Sequence, residues 1–314
     1  MKKMKNDVSI MGLLYDHDLQ KKTAGKDSKT PGVEYITGTI SVATDDACLN
    51  IIPIHYTYIT ATTKSGKPNS TFTALDNILS GAYPTMMGAS KERATHLRIN
   101  TSIALNEFYS NRDGKEELVS VKRNEGGFIH VDNTPFDEDE TKRCSFDCDI
   151  LITNARHIDA DAERNLPEKV IIRGALFNEF NKTMLPMEFT VISPKAISYF
   201  ESQDISSKNP LFTEIRGHQV NTSIERKIVE KGAFSDSVRT VKTTNKDWLV
   251  DWSATEPHLW DDESTLLASE VNEAMKNREI ALATMKQRND EWRASRASKP
   301  VVATPTVAGE TFNF

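Results

Sequence analysis

The sequence predicts a mainly β protein: two tandem five-stranded Greek-key barrels followed by a long C-terminal helix and a flexible tail. Three observations support this fold class. Runs of β-branched and aromatic residues have the length of strands, and the order strand, strand, strand, helix, strand, strand occurs twice. After the second series, apolar residues recur at helical spacing.

The first series contains turn-formers such as Ser65-Gly66-Lys67-Pro68 between its strands. A short helix is predicted over residues 73–80, where Leu75, Ile78 and Leu79 fall at helical spacing behind a Ser/Thr-rich entry. The predicted strands are residues 8–15, 33–43, 51–62, 95–109 and 118–131.

The second series repeats this order, and its helix begins with Ser193 as N-cap and Pro194 at the first helical position. Its predicted strands are residues 148–158, 169–177, 184–192, 213–229 and 237–252.

Pro135 and an acidic run separate the two series, which is typical of a linker. We therefore expect a first barrel over 1–134, a linker over 135–143 and a second barrel over 144–256. Five strands with a helix between the third and fourth is the layout of the OB-fold, whose face and connecting loops bind oligonucleotides and oligosaccharides.

A long amphipathic helix is predicted within residues 257–298, because Leu267, Val271, Leu282 and Met285 form a narrow apolar seam. Such a helix could pack on a barrel or pair with a partner helix, giving a homo-oligomer. Residues 299–314 are expected to be a flexible tail, whose two phenylalanines could recruit a partner protein.

Composition predicts a soluble protein of the cytoplasm. Hydrophobic residues make up 38% and charged residues 27%, and no apolar run approaches the ~18 residues of a membrane span. Cys144 and Cys148 have neither zinc-site nor redox-motif spacing, and a third cysteine leaves an odd number. The net charge of −6 argues against a protein that binds nucleic-acid phosphates over much of its surface, unless the acidic residues are segregated from a basic groove.

Sequence motifs for catalysis and cofactor binding are missing. The chain has no dinucleotide fingerprint, His-Glu-x-x-His or Gly-x-Ser-x-Gly, and its seven histidines lack ligand spacing. Ser65-Gly66-Lys67 is not a phosphate loop, since Pro68 takes the Ser/Thr place. We therefore expect no enzyme activity, no cofactor and no metal.

Aromatic and basic residues on the predicted strands are the types that single-strand binders use, since bases stack on aromatic rings and cations track the phosphates. The candidate stacking residues are Tyr56, Tyr58, Phe108, Tyr109 and Phe177. The candidate phosphate contacts are Lys64, Lys67, Arg98, Arg112, Arg173, Arg226 and Lys242.

Residues 8–14, the Lys29-Thr-Pro-Gly32 loop end and the Tyr35–Ala43 run resemble the first strands of single-stranded DNA-binding proteins of the OB-fold type, and residues 52–56 are similar to their third strand. The rest of the chain is similar in general style to phage-encoded replication proteins. This resemblance implies sequence-independent binding of single-stranded DNA in replication or recombination, in the host cytoplasm if the protein is phage-encoded, and partner recruitment through the tail.

Two alternatives remain open at the level of sequence. In the first, the chain is a structural or assembly protein of a virion or scaffold, and the barrels and helix carry protein contacts. In the second, the chain is an enzyme whose loops, such as the acidic Asp159–Glu163 segment, form an unrecognised site.

Overall fold

A computed structural model describes residues 4–26, 28–112, 115–162, 166–178, 181–231 and 237–297. The protein is mainly β with a long C-terminal helix, as predicted, and its strands form an eleven-stranded sheet. None of the helices in these ranges is long and apolar enough to cross a membrane. The predicted tail, residues 299–314, lies outside the described residues.

The first half contains six strands and one helix. An added short strand, β2, was not predicted. The elements are β1 (Asn6–His17), β2 (Gln20–Thr23), β3 (Glu34–Ala43), β4 (Ile51–Thr60), α1 (Ser70–Leu79), β5 (His96–Arg112) and β6 (Lys115–Val131). Helix α1 begins three residues earlier than predicted, because the Asn69 side chain accepts a hydrogen bond from the backbone N–H of Thr71.

The second half contains five strands and two helices. The elements are β7 (Cys144–Ile158), β8 (Lys169–Asn178), β9 (Thr183–Val191), α2 (Pro194–Ser202), β10 (Leu211–Glu230), β11 (Ser237–Ser253) and α3 (Ala268–Ala297). Pro194 occupies the first turn of α2, where its missing N–H costs no hydrogen bond.

Strand pairing closes a cycle of five strands in each half. In the first ring β1 pairs with β3 and β5, β3 pairs with β4, β5 pairs with β6, and β4 runs parallel to β6. In the second ring β7 pairs with β8 and β10, β8 with β9, β10 with β11, and β9 runs parallel to β11. The two rings therefore have the same strand order.

The two rings are joined by antiparallel pairing of β1 with β7 and share one continuous apolar core. The buried amides of Asn124 and Gln219 cross between the rings and bond reciprocally, at 2.8 and 3.1 Å. Asn50 adds a bond from its amide to the carbonyl oxygen of Gln219, at 3.1 Å. Because unpaired buried amides are costly, these contacts specify how the rings meet.

The segment predicted as a linker, 135–143, is packed against the first ring. Its end forms a short 3-10 turn, and the buried guanidinium of Arg143 lies 2.6 Å from the carboxylate of Asp46. This contact lowers the pKa of Asp46 below its ordinary value. The linker is therefore anchored to the loop between β3 and β4.

Beyond the first ring, β5 and β6 continue as a two-stranded arm, which we define as residues 103–112 and 115–124. Helix α3 is anchored on the second ring by Ala274 and Val271. It also reaches the arm, where Arg278 lies 2.5 Å from Glu107 and Arg293 lies 2.7 Å from Glu116. The arm thus contacts α3 and also the second ring, where Lys122 donates a hydrogen bond to the carbonyl oxygen of Glu188.

Candidate nucleic-acid interface

Strand β4 presents its two tyrosines in opposite directions. Ile36 pairs with Ile59 and Gly38 with Tyr56, so β4 has one more residue than β3 between these pairs. This bulge interrupts the alternation of side chains. Tyr56 is fully buried, whereas Tyr58 is 41% exposed.

The prediction that Tyr56 stacks on a base is therefore wrong. Its ring is among the largest fully buried side chains of the core, and burial raises the pKa of its hydroxyl above the ordinary value. Two tyrosines at i and i+2 share a face only on a regular strand, and the bulge breaks that rule here.

Tyr58 forms a ring pair with Tyr35 of β3 on the outside of the first ring. Their ring centroids are 4.3 Å apart and the planes are inclined by 33°. The Tyr58 hydroxyl lies 2.7 Å from the hydroxyl of Thr30, in the loop that precedes β3. Thr30 and the Tyr35 ring thus hold Tyr58 against the sheet while leaving part of its ring in solvent.

Exposed lysines lie on the segments around this pair. Lys22 is directly opposite Tyr35 in the β2–β3 register, and Lys29 precedes Thr30. Lys64 and Lys67 are exposed in the turn after β4, where Gly66 adopts a positive φ of 79°. We call Lys22, Lys29, Tyr35, Tyr58, Lys64 and Lys67 the tyrosine patch.

Lys21, next to Lys22, belongs to a different contact. Its ammonium forms an ion pair with Asp76 of α1 at 2.9 Å and lies 5.4 Å from the Phe72 ring centroid. The hydrogen bond that Lys21 donates to Asp76 raises the pKa of Lys21. Lys21 therefore ties β2 to α1.

The outward face of β3 and β4 continues from the tyrosine patch as a polar surface. Thr39 lies 3.3 Å from the ring nitrogen Nδ1 of His55, and Thr57 donates a 2.6 Å hydrogen bond to Glu125 of β6. Burial and the nearby charge of Arg123 lower the pKa of His55, which favours its neutral form. This surface offers hydroxyl and ring hydrogen-bonding groups.

Phe177 is the second predicted stacking residue that the structure contradicts. It points outward from β8 but is only 6% exposed, because Leu266 and Ala274 cover it together with Met184 and Phe212. The prediction of a stacking role for Phe177 is therefore wrong. Its ring belongs to the apolar cluster on which α3 is anchored.

The remaining aromatic candidates lie on the arm. Phe108 is 43% exposed, and Tyr109 is half-buried with the ammonium of Lys286 at 5.9 Å from its ring centroid. Both are separated in the fold from the tyrosine patch. Strand β4 runs parallel to β6 at the pair Ile54–Asn124, so Tyr58 lies towards the end of β6 and the arm extends in the opposite direction.

Two of the predicted phosphate contacts are engaged in ion pairs. Arg98 lies 2.6 Å from Asp132 and also donates to Thr134 at 2.8 Å. Arg173 lies 2.6 Å from Glu188 of the neighbouring strand. A phosphate would have to displace these carboxylates, so both arginines are weak candidates for phosphate contacts. The side chains of Arg112, Arg226 and Lys242 lie outside the described residues.

Sequence comparison then identifies a family. A family model described as YorF matches residues 5–288, which is most of the chain. The chain belongs to the YorF family. Its fold is similar to the crystal structure of wild-type single-stranded DNA binding protein from Thermus aquaticus, with 8% sequence identity and a TM-score of 0.42. That similarity covers 80% of this chain and 93% of that chain. No curated protein matches the sequence.

In this YorF-family chain, sequence analysis missed Tyr35, Lys22 and Lys29 as parts of the site. Tyr35 begins the alternating run Tyr35–Ala43, in which every second residue faces the core. That alternation placed Tyr35 outside the ring and was a usable signal. Lys22 carried no signal of its own, because β2 is short and exposed throughout.

Proposed function

We propose that this protein binds single-stranded DNA without sequence specificity, and that each five-stranded ring is an OB-fold barrel. The ring order supports this assignment: the first strand pairs with the second and fourth, and the third runs parallel to the fifth. In OB-folds the outward face of the second and third strands and the adjoining loops bind oligonucleotides.

The tyrosine patch is the observation that carries the proposal. Tyr35 and Tyr58 lie on the second and third strands of the first ring, and Thr30 and Lys29 lie in the loop that joins the first strand to the second. An exposed ring can stack on an unpaired base, and this interaction is worth about 1–3 kcal/mol per base. The surrounding lysines can follow the phosphates on either side of the stacked base.

The preference for single strands follows from the geometry of stacking. A base inside a duplex presents its edges to the protein, and its face is already stacked on neighbouring bases. The Tyr35–Tyr58 pair offers a ring to the face of a base and thus favours unpaired nucleotides. The polar surface of Thr39, His55 and Thr57 can then bond to bases or sugars that continue along β3 and β4.

The net charge of −6 is compatible with local binding, because the tyrosine patch contains four lysines, with the exposed Glu34 beside Tyr35 in the chain. Asp76 is paired with Lys21 and Glu125 accepts a bond from Thr57. Binding through a small cluster of lysines predicts a modest salt dependence. We propose that such binding serves DNA replication or recombination.

Fluorescence anisotropy of the full-length protein tests the proposal, using a labelled ~30-nucleotide thymine strand and the matching duplex at low and moderate salt. We expect single-strand preference and at least about tenfold weaker binding for the double variant Tyr35→Ala/Tyr58→Ala. Phe128→Ala is the matched control, since Phe128 is exposed but lies outside the tyrosine patch.

Equal loss of affinity in both variants would place the binding surface elsewhere. If the wild-type protein binds neither strand at micromolar concentration, the DNA-binding proposal is wrong. The alternative of a structural or assembly protein would then be tested by oligomeric mass.

A further inference from the structure

A groove lies between the arm and the second ring, away from the tyrosine patch. Its volume is about 740 Å³. Leu105 and Val121 of the arm form one side, and Ile171, Met187 and Trp248 contribute from the second ring. The groove is open to solvent at its rim, where the exposed side chains of Arg173 and Lys246 lie.

The arm places the ammonium group of Lys122 at one wall of this groove. Its Nζ atom lies 4.2 Å from the ring centroid of Phe189 and 4.9 Å from that of Trp248, and it donates a hydrogen bond to the carbonyl oxygen of Glu188. Among the residues that the structure describes, no carboxylate lies within 4.0 Å of this nitrogen. A desolvated ammonium without an ion pair favours the neutral amine.

The carboxylates nearest to Lys122 are already engaged. The Glu188 carboxylate pairs with Arg173 at 2.6 Å, and the Asp247 carboxylate accepts bonds from the Thr190 hydroxyl and the Trp248 backbone N–H. Burial lowers the pKa of Lys122 to about 7, and the charge of Asp247 opposes this shift. The titratable and charged groups that face Lys122 are Cys148, Arg173, Glu188, Lys246 and Asp247.

We propose that Lys122 is a selectively reactive amine and a modification site for small acyl phosphates that enter this groove. The hydrogen bond to the Glu188 carbonyl uses an N–H of the amine and leaves its lone pair available for attack. Lys246 at the rim supplies positive charge for the phosphate group of the reagent. The proposal is independent of nucleic-acid binding.

The reaction is an acyl transfer. The Lys122 nitrogen forms a bond to the carbonyl carbon of the acyl phosphate, and the bond between that carbon and the phosphate oxygen breaks. Inorganic phosphate leaves with the electron pair, and the nitrogen loses one proton to solvent or to the departing phosphate. The amide that forms carries no charge, so its contact with the Phe189 and Trp248 rings is lost as a cation–π interaction.

Brief treatment of the wild-type protein with acetyl phosphate, followed by peptide mass spectrometry, tests this assignment. Lys208 and Lys276 are internal comparators, because both are exposed. At about pH 7.5 we expect Lys122 to be acetylated at least about tenfold faster than either comparator, since an ordinary lysine is almost entirely protonated there. Lys122→Arg confirms the peptide assignment.

The pH profile provides the second readout. The rate at Lys122 should level off above about pH 8, whereas the rates at Lys208 and Lys276 should continue to rise towards about pH 10. Acetylation of Lys122 at or below the rate of the comparators would overturn the proposal, as would a profile that matches theirs. Because the wild-type protein is used, failure of a variant to fold cannot produce either result.

Discussion

The outward faces of β3–β4 and β8–β9 hold equivalent places in the two rings but differ in what covers them. The first is lined by polar residues such as Thr37, Thr39 and His55, and it stays at the surface. The second carries Ile171, Phe177 and Met184, all of them buried under the arm or α3. A shared strand order therefore leaves one face exposed to solvent and uses much of the other for the protein's own packing.

This difference is visible in the sequence of each face. Strand β3 alternates buried and polar residues, which is typical of a sheet with one face in solvent. Strand β8 is apolar on both faces over much of its length, which is typical of a strand covered on both sides. Phe177 and Tyr58 were both predicted to stack on bases because both are aromatic residues on strands. That criterion ignores the contrast between the two faces.

The largest expected effect separates these two aromatic residues. Phe177→Ala should lower the free energy of unfolding by about 3–5 kcal/mol, because it leaves a cavity beneath α3. Tyr58→Ala should change stability by less than about 1 kcal/mol but weaken DNA binding. Urea unfolding and anisotropy measure the two quantities, and similar stability losses in both variants would contradict the comparison.

A smaller effect concerns the junction between the rings. Gln219→Leu should lower the free energy of unfolding by about 1–3 kcal/mol, because it leaves the buried Asn124 amide without its partner. The double variant Asn124→Leu/Gln219→Leu should recover part of this loss, since it removes both amides and leaves only the Pro53 carbonyl without the bond from Asn124. Additive losses in thermal unfolding would show that the two amides do not act as a pair.

The contact between the arm and the second ring predicts a pH effect. The folded-state pKa of Lys122, about 7, lies below its unfolded value of 10.5, so the unfolded chain binds more protons between these pH values. Stability of the wild type relative to Lys122→Met should therefore increase as pH rises from 7 to 10. The slope should be at most about 1.4 kcal/mol per pH unit. A difference in unfolding free energy that is constant over this range would contradict the shift.

The smallest expected effect compares the cations of the two faces. Lys64→Ala/Lys67→Ala should reduce the slope of log K against log salt by up to about 1.4, since each single-strand phosphate contact contributes about 0.7. Arg173→Ala should leave this slope unchanged, because Arg173 is paired with Glu188. It should also alter stability by less than about 1 kcal/mol, as expected for an exposed pair. An equal change of slope in both variants would assign DNA contacts to the second ring as well.

Much of the secondary structure was predictable because each ring strand carries its own local signal. The alternation in β3 and the Pro194 start of α2 are examples. Strand β2 was not predicted, and the predicted range 257–298 did not locate the start of α3 at Ala268. The four exposed residues of β2 have no periodic pattern, and Asp262 bonds to Ser264 in a turn that precedes the helix.

The candidate site was predictable only in part. Tyr58 was predicted as a stacking residue and Lys64 and Lys67 as phosphate contacts; the structure pairs the Tyr58 ring with Tyr35 and leaves both lysines exposed in the turn after β4. The bulge that turns Tyr58 outward depends on the pairing of β4 with β3. The sequence of β4 alone does not reveal this bulge, because a bulge is a mismatch between two paired strands.

The sequence by itself determined the mainly β class, the repeated order of elements and the long C-terminal helix, because periodicity and helix caps act within a few residues. The tertiary structure decided which aromatic rings are exposed, which cations are paired and which of two equivalent faces is covered. Those properties arise from contacts between distant segments, such as Glu107 with Arg278 and Phe177 with Ala274. A side chain's burial and charge partners depend on such neighbours rather than on its own strand.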